Sequence, residues 1–290
     1  DFMKKNKDNP MLIYYPMCLP HGPLTTTPSE PKVSGKMEKH KAMVRYTDEI
    51  LGKLVTAIDN LDIRDNTIIF WTTDNGTSGN ITGRLNGKSV RGGKTYLTEN
   101  GVNQPFIVNW SGRVPAGVET DALVDFSDLL PTFADLGNAS LPKDFHFDGK
   151  SFIDVILGYK SKSKRDWILT MGSLPARLNY KRATNLHKFR DRALRDENYK
   201  VFVDTLGQIS HVYNLTIDAE EKENLIHSNS KKIKPIIKKF KAIISNFPTE
   251  DEQPNYTKLS NSIYDTNPEI LNEKAEKWRK RSNHAPMFEY

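Results

Sequence analysis

Cysteine is almost missing from this chain, with Cys18 alone among 290 residues. One thiol cannot close an internal disulfide or build a cysteine-based zinc site, so a stapled scaffold and a zinc finger are both excluded. Long hydrophobic runs are missing too. The apolar stretch at residues 11–15 falls far short of the roughly 20 residues a membrane helix needs. No internal repeat is visible, and no nucleic-acid module accompanies the basic residues. The chain also opens without a basic and apolar leader. Asp1-Phe2-Met3-Lys4-Lys5 reads instead as the end of a helix, so the sequence is expected to start inside a larger structure.

What remains is ordinary globular material, 37% hydrophobic and 27% charged, long enough for one large domain or one and a half. The formal charge of +6 permits anionic partners. The basic residues are scattered, however, with their densest runs at 160–165 and 231–241, which read as solvated surface.

The informative text lies between residues 68 and 94. Ile68-Ile69-Phe70-Trp71-Thr72-Thr73 reads as a buried strand. It runs into Asp74-Asn75-Gly76, which puts a carboxylate, an amide oxygen and a permissive turn residue at a strand end. Arg91-Gly92-Gly93-Lys94 then delivers a cation on a glycine-loosened backbone. Ligands of α/β proteins bind at the carboxyl ends of strands. Oxygen donors beside cations point to a hard divalent metal and an anionic substrate.

Around this core the chain alternates strand and helix. Residues 11–15 read as a short strand and 36–61 as a long amphipathic helix, with Met43, Ile50, Leu54, Ala57 and Ile58 at helical spacing. Residues 105–110 form a strand and 125–136 a helix in which Pro131 marks a flaw or a new start. This alternation predicts an α/β fold with a mixed, mainly parallel sheet flanked by helices. After a lysine-serine linker the grammar changes. Strands at 167–171, 192–195, 200–204 and 209–213 follow one another, the last two around a hairpin turn, then a basic helix at 230–244. A small antiparallel sheet with a packed helix is expected there. The divisions are then 1–160 for the α/β part, 161–245 for the small subdomain and 246–290 for an extended tail.

Several strings in this order resemble the formylglycine-dependent type I sulfatases of the alkaline phosphatase superfamily. They are His21-Gly22-Pro23, Thr73-Asp74-Asn75-Gly76, Arg91-Gly92-Gly93-Lys94, Glu99-Asn100-Gly101-Val102, Asp148-Gly149-Lys150, Tyr199-Lys200 and Glu223-Asn224-Leu225. The resemblance implies that Asp74 and Asn75 are ligands of a single Ca2+, that Lys94 binds sulfate oxygens, and that His21 aids departure of the alcohol. It also implies attack on sulfur by a geminal diol and release of sulfate.

The departures carry equal weight. Cys18-Leu19-Pro20-His21-Gly22 imitates the start of the family's Cys/Ser-x-Pro/Ala-x-Arg nucleophile motif, but Gly22 stands where arginine belongs. Cys18 is therefore read as a small buried residue and not as the nucleophile. The formylglycine and the remaining calcium ligands are expected on an N-terminal half, in the same or a separate chain, and the segment alone is expected to be inactive. Arg84, Arg177, Asn179, His187 and Arg190 are candidate substrate contacts, with a sulfated carbohydrate as the expected substrate. The resemblance further implies a bacterial, periplasmic or secreted protein. A phosphate or phosphonate monoester hydrolase of the same superfamily, or a non-catalytic homologue that binds sulfated glycans, are the alternatives.

Overall fold

The computed structural model describes residues 1–172, 189–252 and, by backbone alone, the pairs 177–178 and 183–184. A short helix α1 (Phe2–Asn6) leads into an irregular stretch, and a long helix follows, α2 (Lys36–Asn60). Helical periodicity brings Ala42, Met43, Thr47 and Ile58 onto the buried face of α2. Its outer face is laced with opposite charges, Lys41–Glu38 at 2.8 Å and Lys53–Glu49 at 2.7 Å.

Strand β1 (Ile69–Thr72) pairs antiparallel with β4 (Phe106–Asn109), Trp71 lying opposite Ile107. Between them come a hairpin, β2 (Thr82–Leu85) with β3 (Lys88–Arg91), and one helical turn, α3 (Glu99–Val102). Helices α4 (Leu129–Leu136) and α5 (Ile153–Ile156) close this part of the chain. Pro131 falls in the first turn of α4, where an amide hydrogen would have no helical partner. The core is a chain of phenylalanines. Phe70 meets Phe106 at 6.1 Å and Phe133 at 5.2 Å, and Phe106 meets Phe152 at 5.8 Å.

The second sheet runs β10 (Ile209–Asn214), β9 (Tyr199–Val203), β8 (Arg192–Arg195), β5 (Ile168–Met171), and every pair is antiparallel. A backbone pair, β6 (Arg177–Leu178) with β7 (Ala183–Thr184), stands apart from it. Strand alternation gives the large sheet two apolar faces. Leu194, Val201, Val203 and Val212 face Ile233 and Phe240 of helix α6 (Ile233–Ile244). Ala193, Phe202 and Tyr213 face Leu97, just before α3. The sheet is thus a wall between α6 and the segment carrying Lys94.

Three expectations need correction. Every ladder among the described residues is antiparallel, so the mainly parallel sheet is not found there. Strand and helix alternate in sequence, but β1 and β4 are joined by a hairpin and one helical turn, and that path returns the chain antiparallel. Residues 11–15 form no ladder. Their backbone has no strand partner among the described residues, and Leu12 and Tyr14 are 81% and 87% exposed. Cys18 is exposed rather than buried.

Candidate functional site

β1 ends at Thr72, two residues before Asp74. Thr73 and Asn75 are half-buried, whereas Asp74 is exposed, so this strand end is more open than its apolar run suggests. Gln104 donates from Nε2 to the Asp74 carbonyl at 3.0 Å. No hydrogen bond or ion pair engages the carboxylate of Asp74 or the side-chain amide of Asn75 among the described residues. Two hard oxygen donors therefore stand side by side with open lone pairs, which suits calcium in kind. Their number falls short of the six to eight oxygens that calcium takes, and no group of three acidic, histidine or cysteine ligands exists among the described residues.

Glycine brings Lys94 to this turn. A Cβ on Gly76 would lie 2.0 Å from the Asn100 carbonyl oxygen, and one on Gly93 would lie 2.3 Å from Asn100 Oδ1. A Cβ on Gly92 would meet the Ser78 and Thr77 carbonyls at 2.2 and 2.3 Å, and Gly101 is as tightly hemmed by Gly93 and Tyr96. The three turns interlock only because side chains are absent at these points. Hydrogen bonds then fasten them. Gly76 N donates to Gly101 O at 2.8 Å, Lys94 N to Thr77 O at 3.0 Å, and Asn100 Nδ2 to Arg91 O at 2.8 Å.

Beneath this clamp lies a buried ion network that sequence reading missed. Lys200 on β9 is 1% exposed and reaches Glu99 Oε1 at 3.0 Å and Glu221 Oε1 at 2.9 Å. Arg195 of β8 holds Glu99 Oε2 at 2.5 Å, and the Glu99 amide donates to Glu221 Oε2 at 2.7 Å. Burial pushes the Glu221 carboxyl up despite the charge of Lys200. Burial, with help from the charges of Glu221 and Asp218, raises the Tyr213 phenol to about 12. Glu221 sits at φ 56°, a left-handed conformation held by its surroundings. The Glu99 and Lys200 strings were legible as motifs, but nothing local says that two residues 101 apart share an ion pair.

The other expected residues are spread more widely. His21 is exposed, its Nδ1 2.7 Å from the Gly22 carbonyl. A carbonyl can only accept, so Nδ1 carries hydrogen and Nε2 is the ring nitrogen that no hydrogen bond engages among the described residues. His21, Arg84, Asp74, Asn75 and Lys94 border one broad open concavity, though no hydrogen bond joins His21 to the other four among the described residues. Arg84 lies on the exposed hairpin and donates to the Gly87 carbonyl at 3.1 Å. Lys88 ties that hairpin to Glu220 at 3.3 Å. The Arg190 amide donates to Asp251 at 2.5 Å. Arg177 is described by its backbone alone, and Asn179 and His187 lie outside the described residues.

Comparison with known proteins bears on what this clamp belongs to. The family described as Sulfatase matches residues 1–139, and that described as N-sulphoglucosamine sulphohydrolase, C-terminal, matches residues 92–249. The chain belongs to the sulfatase family. A curated relative is the steryl-sulfatase of Rattus norvegicus, 29% identical over 178 residues, which are 58% of this chain and 30% of that protein. Among solved structures, the PsFucS1 sulfatase from Pseudoalteromonas sp. is 27% identical, with a TM-score of 0.54 over 75% of this chain and 44% of that one. A structure from work on the metabolism of multiple glycosaminoglycans by Bacteroides thetaiotaomicron has a TM-score of 0.64 at 20% identity, covering 84% of this chain and 52% of that one. This sulfatase chain thus spans about a third to a half of these relatives, and it corresponds to a C-terminal portion. No helix among the described residues is long and apolar enough to cross a membrane.

Proposed function

We propose that this chain supplies one side of the active site of a sulfuric ester hydrolase acting on a sulfated carbohydrate. The observation that carries the reading is the glycine interlock, which holds the donors of Asp74 and Asn75 and the Lys94 loop against the same turn. Asp74 and Asn75 would hold Ca2+, which when bound supplies charge neutralisation for the sulfate oxygens. Lys94 would add a fixed cation where charge develops on the sulfuryl group. His21, with both ring nitrogens protonated, would give the departing alcohol the proton on Nε2. The remaining calcium ligands and the formylglycine would come from polypeptide preceding these residues in the family's order, which makes an N-terminal half the necessary partner.

The sugar reading is supported by the family description that covers residues 92–249, which names a sulfated glucosamine, and by the glycosaminoglycan context of one structural relative. Arg84 and Arg190 would grip the carbohydrate. The α/β part at 1–160 would carry the chemistry and the subdomain at 161–245 would buttress it. A glycan-degrading enzyme of this kind would work in the bacterial periplasm or outside the cell.

The test is sulfate release from sulfated sugars by the intact polypeptide carrying this chain, with phosphate esters as the comparison. Lys94→Ala is expected to lower kcat/KM by about 100- to 1,000-fold, the usual loss when one oxyanion donor is removed. Asp74→Ala is expected to weaken Ca2+ binding measured by calorimetry. An unchanged rate in Lys94→Ala, or turnover confined to phosphate esters, would overturn the reading.

A further inference from the structure

One of the two dense basic runs of the chain lies on α6, across the second sheet from the segment that carries Lys94. Lys234, Lys238 and Lys241 recur at i, i+4 and i+7 and so form one line about 10 Å long on the helix surface. Lys231 extends it into the turn that leads in, and all four are exposed. The helix has no acidic residue. Lys239, which reaches Asp196 at 2.6 Å, is the one lysine of 231–241 with an ion pair among the described residues. Helix α2 handles its charge differently, pairing Lys41 with Glu38 and Lys53 with Glu49 along its own surface. Like charges at i, i+4 weaken a helix. On α6 that repulsion is left standing, while the adjoining face is pinned to the sheet by Ile233 and Phe240.

We propose that this lysine line is an exosite for a polyanionic sulfated polysaccharide, distinct from the catalytic clamp. It is fixed on the face of the sheet turned away from Leu97, so a ligand touching both must be a polymer. Lysines are point cations that accept an anion from many directions, which suits a chain of irregularly placed sulfates better than the forked recognition of one phosphate. The exposed face of α6 carries no aromatic ring for a base to stack on, since Phe240 is fully buried, and this disfavours nucleic acid. The choice of a sulfated glycan as the polymer rests on the function proposed above.

The experiment measures binding of dextran sulfate, and of duplex DNA, to the intact polypeptide at two salt concentrations. Lys231, Lys234, Lys238 and Lys241 are changed together to Gln. A second variant carries Lys5, Lys32, Lys36 and Lys143 as Gln and so loses the same net charge elsewhere. The α6 variant is expected to bind dextran sulfate at least tenfold more weakly with a shallower salt dependence. The control variant is expected to bind as the parent does, and the urea midpoint of neither variant should fall below the parent's. Hydrolysis of a sulfated monosaccharide by the α6 variant should be unchanged. Equal weakening in both variants, no weakening in either, or tighter binding of DNA than of dextran sulfate would overturn the proposal. Loss of sulfate release in Lys94→Ala with dextran sulfate binding intact separates the two sites, so either reading can fail alone.

Discussion

At Gly76 and Gly93 the chemistry of the site comes down to a missing methyl group. A Cβ there would sit 2.0 to 2.9 Å from backbone or short side-chain atoms of Asn100 and Gly101, which cannot swing aside as a long flexible side chain would. Gly93→Ala is expected to destabilise the chain by about 1–3 kcal/mol, the usual cost of forcing extra volume into a packed site. It should also weaken the proposed Ca2+ binding, because Asn100, against which Gly76 of the Asp74 turn packs, must move to make room. Gly83→Ala, where open space surrounds the position, should leave both quantities near the parent. Urea unfolding and calorimetry on the three proteins check this, and equal losses in Gly83→Ala would refute it. The glycines were legible in sequence as loosened backbone. Their mutual contact was not, because it joins residues 76 and 101 through space.

At the scale of elements, the decisive link is between α3 and strands β8 and β9. Glu99 on α3 is held by Lys200 and Arg195, which belong to the second sheet. Removing one member of a buried ion network strands the others, at a cost of about 3–5 kcal/mol. Lys200→Met is therefore expected to lower stability by that order, since Glu99 and Glu221 lose their common cation. Adding Glu221→Gln should recover part of the loss, because one fewer charge is left uncompensated. Strictly additive losses across this double-mutant cycle would show that the residues do not act as a network. Sequence periodicity located α2, β1, β4 and the β9–β10 hairpin to within a residue or two, because each depends on neighbours close along the chain. It did not reveal that a polar Lys200 would be among the most buried side chains of the molecule.

For the whole molecule, pH is the simplest handle. Burial depresses the pKa values of His40 and His211 below the ordinary histidine value of 6.5. Each contributes stability that is present above 6.5 and lost as pH falls through its folded value, since the unfolded chain takes the proton first. Glu221 acts in the other direction. Its raised pKa contributes stability below 4.5 that is lost as pH rises through the folded value. The urea midpoint is thus expected to fall between pH 7.5 and 5.5. A His40→Gln, His211→Gln variant should flatten that fall. Glu221→Gln should remove the opposing contribution, which acts between pH 4.5 and the folded pKa of Glu221. A parent midpoint that rises on acidification across this window would contradict the assignment.

Residue order alone determined which strings sit at strand ends, where glycine loosens the backbone, and that a carboxylate, an amide and a lysine recur in the order of a sulfatase. These features are local, set by side-chain period and turn chemistry within a dozen residues. Tertiary structure decided what no local rule contains. The β1–β4 pair runs antiparallel, residues 11–15 stand exposed without a ladder, and Cys18 faces solvent. The same holds for Glu99, which joins two parts of the chain across about a hundred residues, and for the lysines of α6, whose single line of charge emerges only once Ile233 and Phe240 have fixed which face of the helix meets the sheet. Strand direction, burial and ion pairing all depend on which distant segment arrives alongside, and only the packed chain settles that.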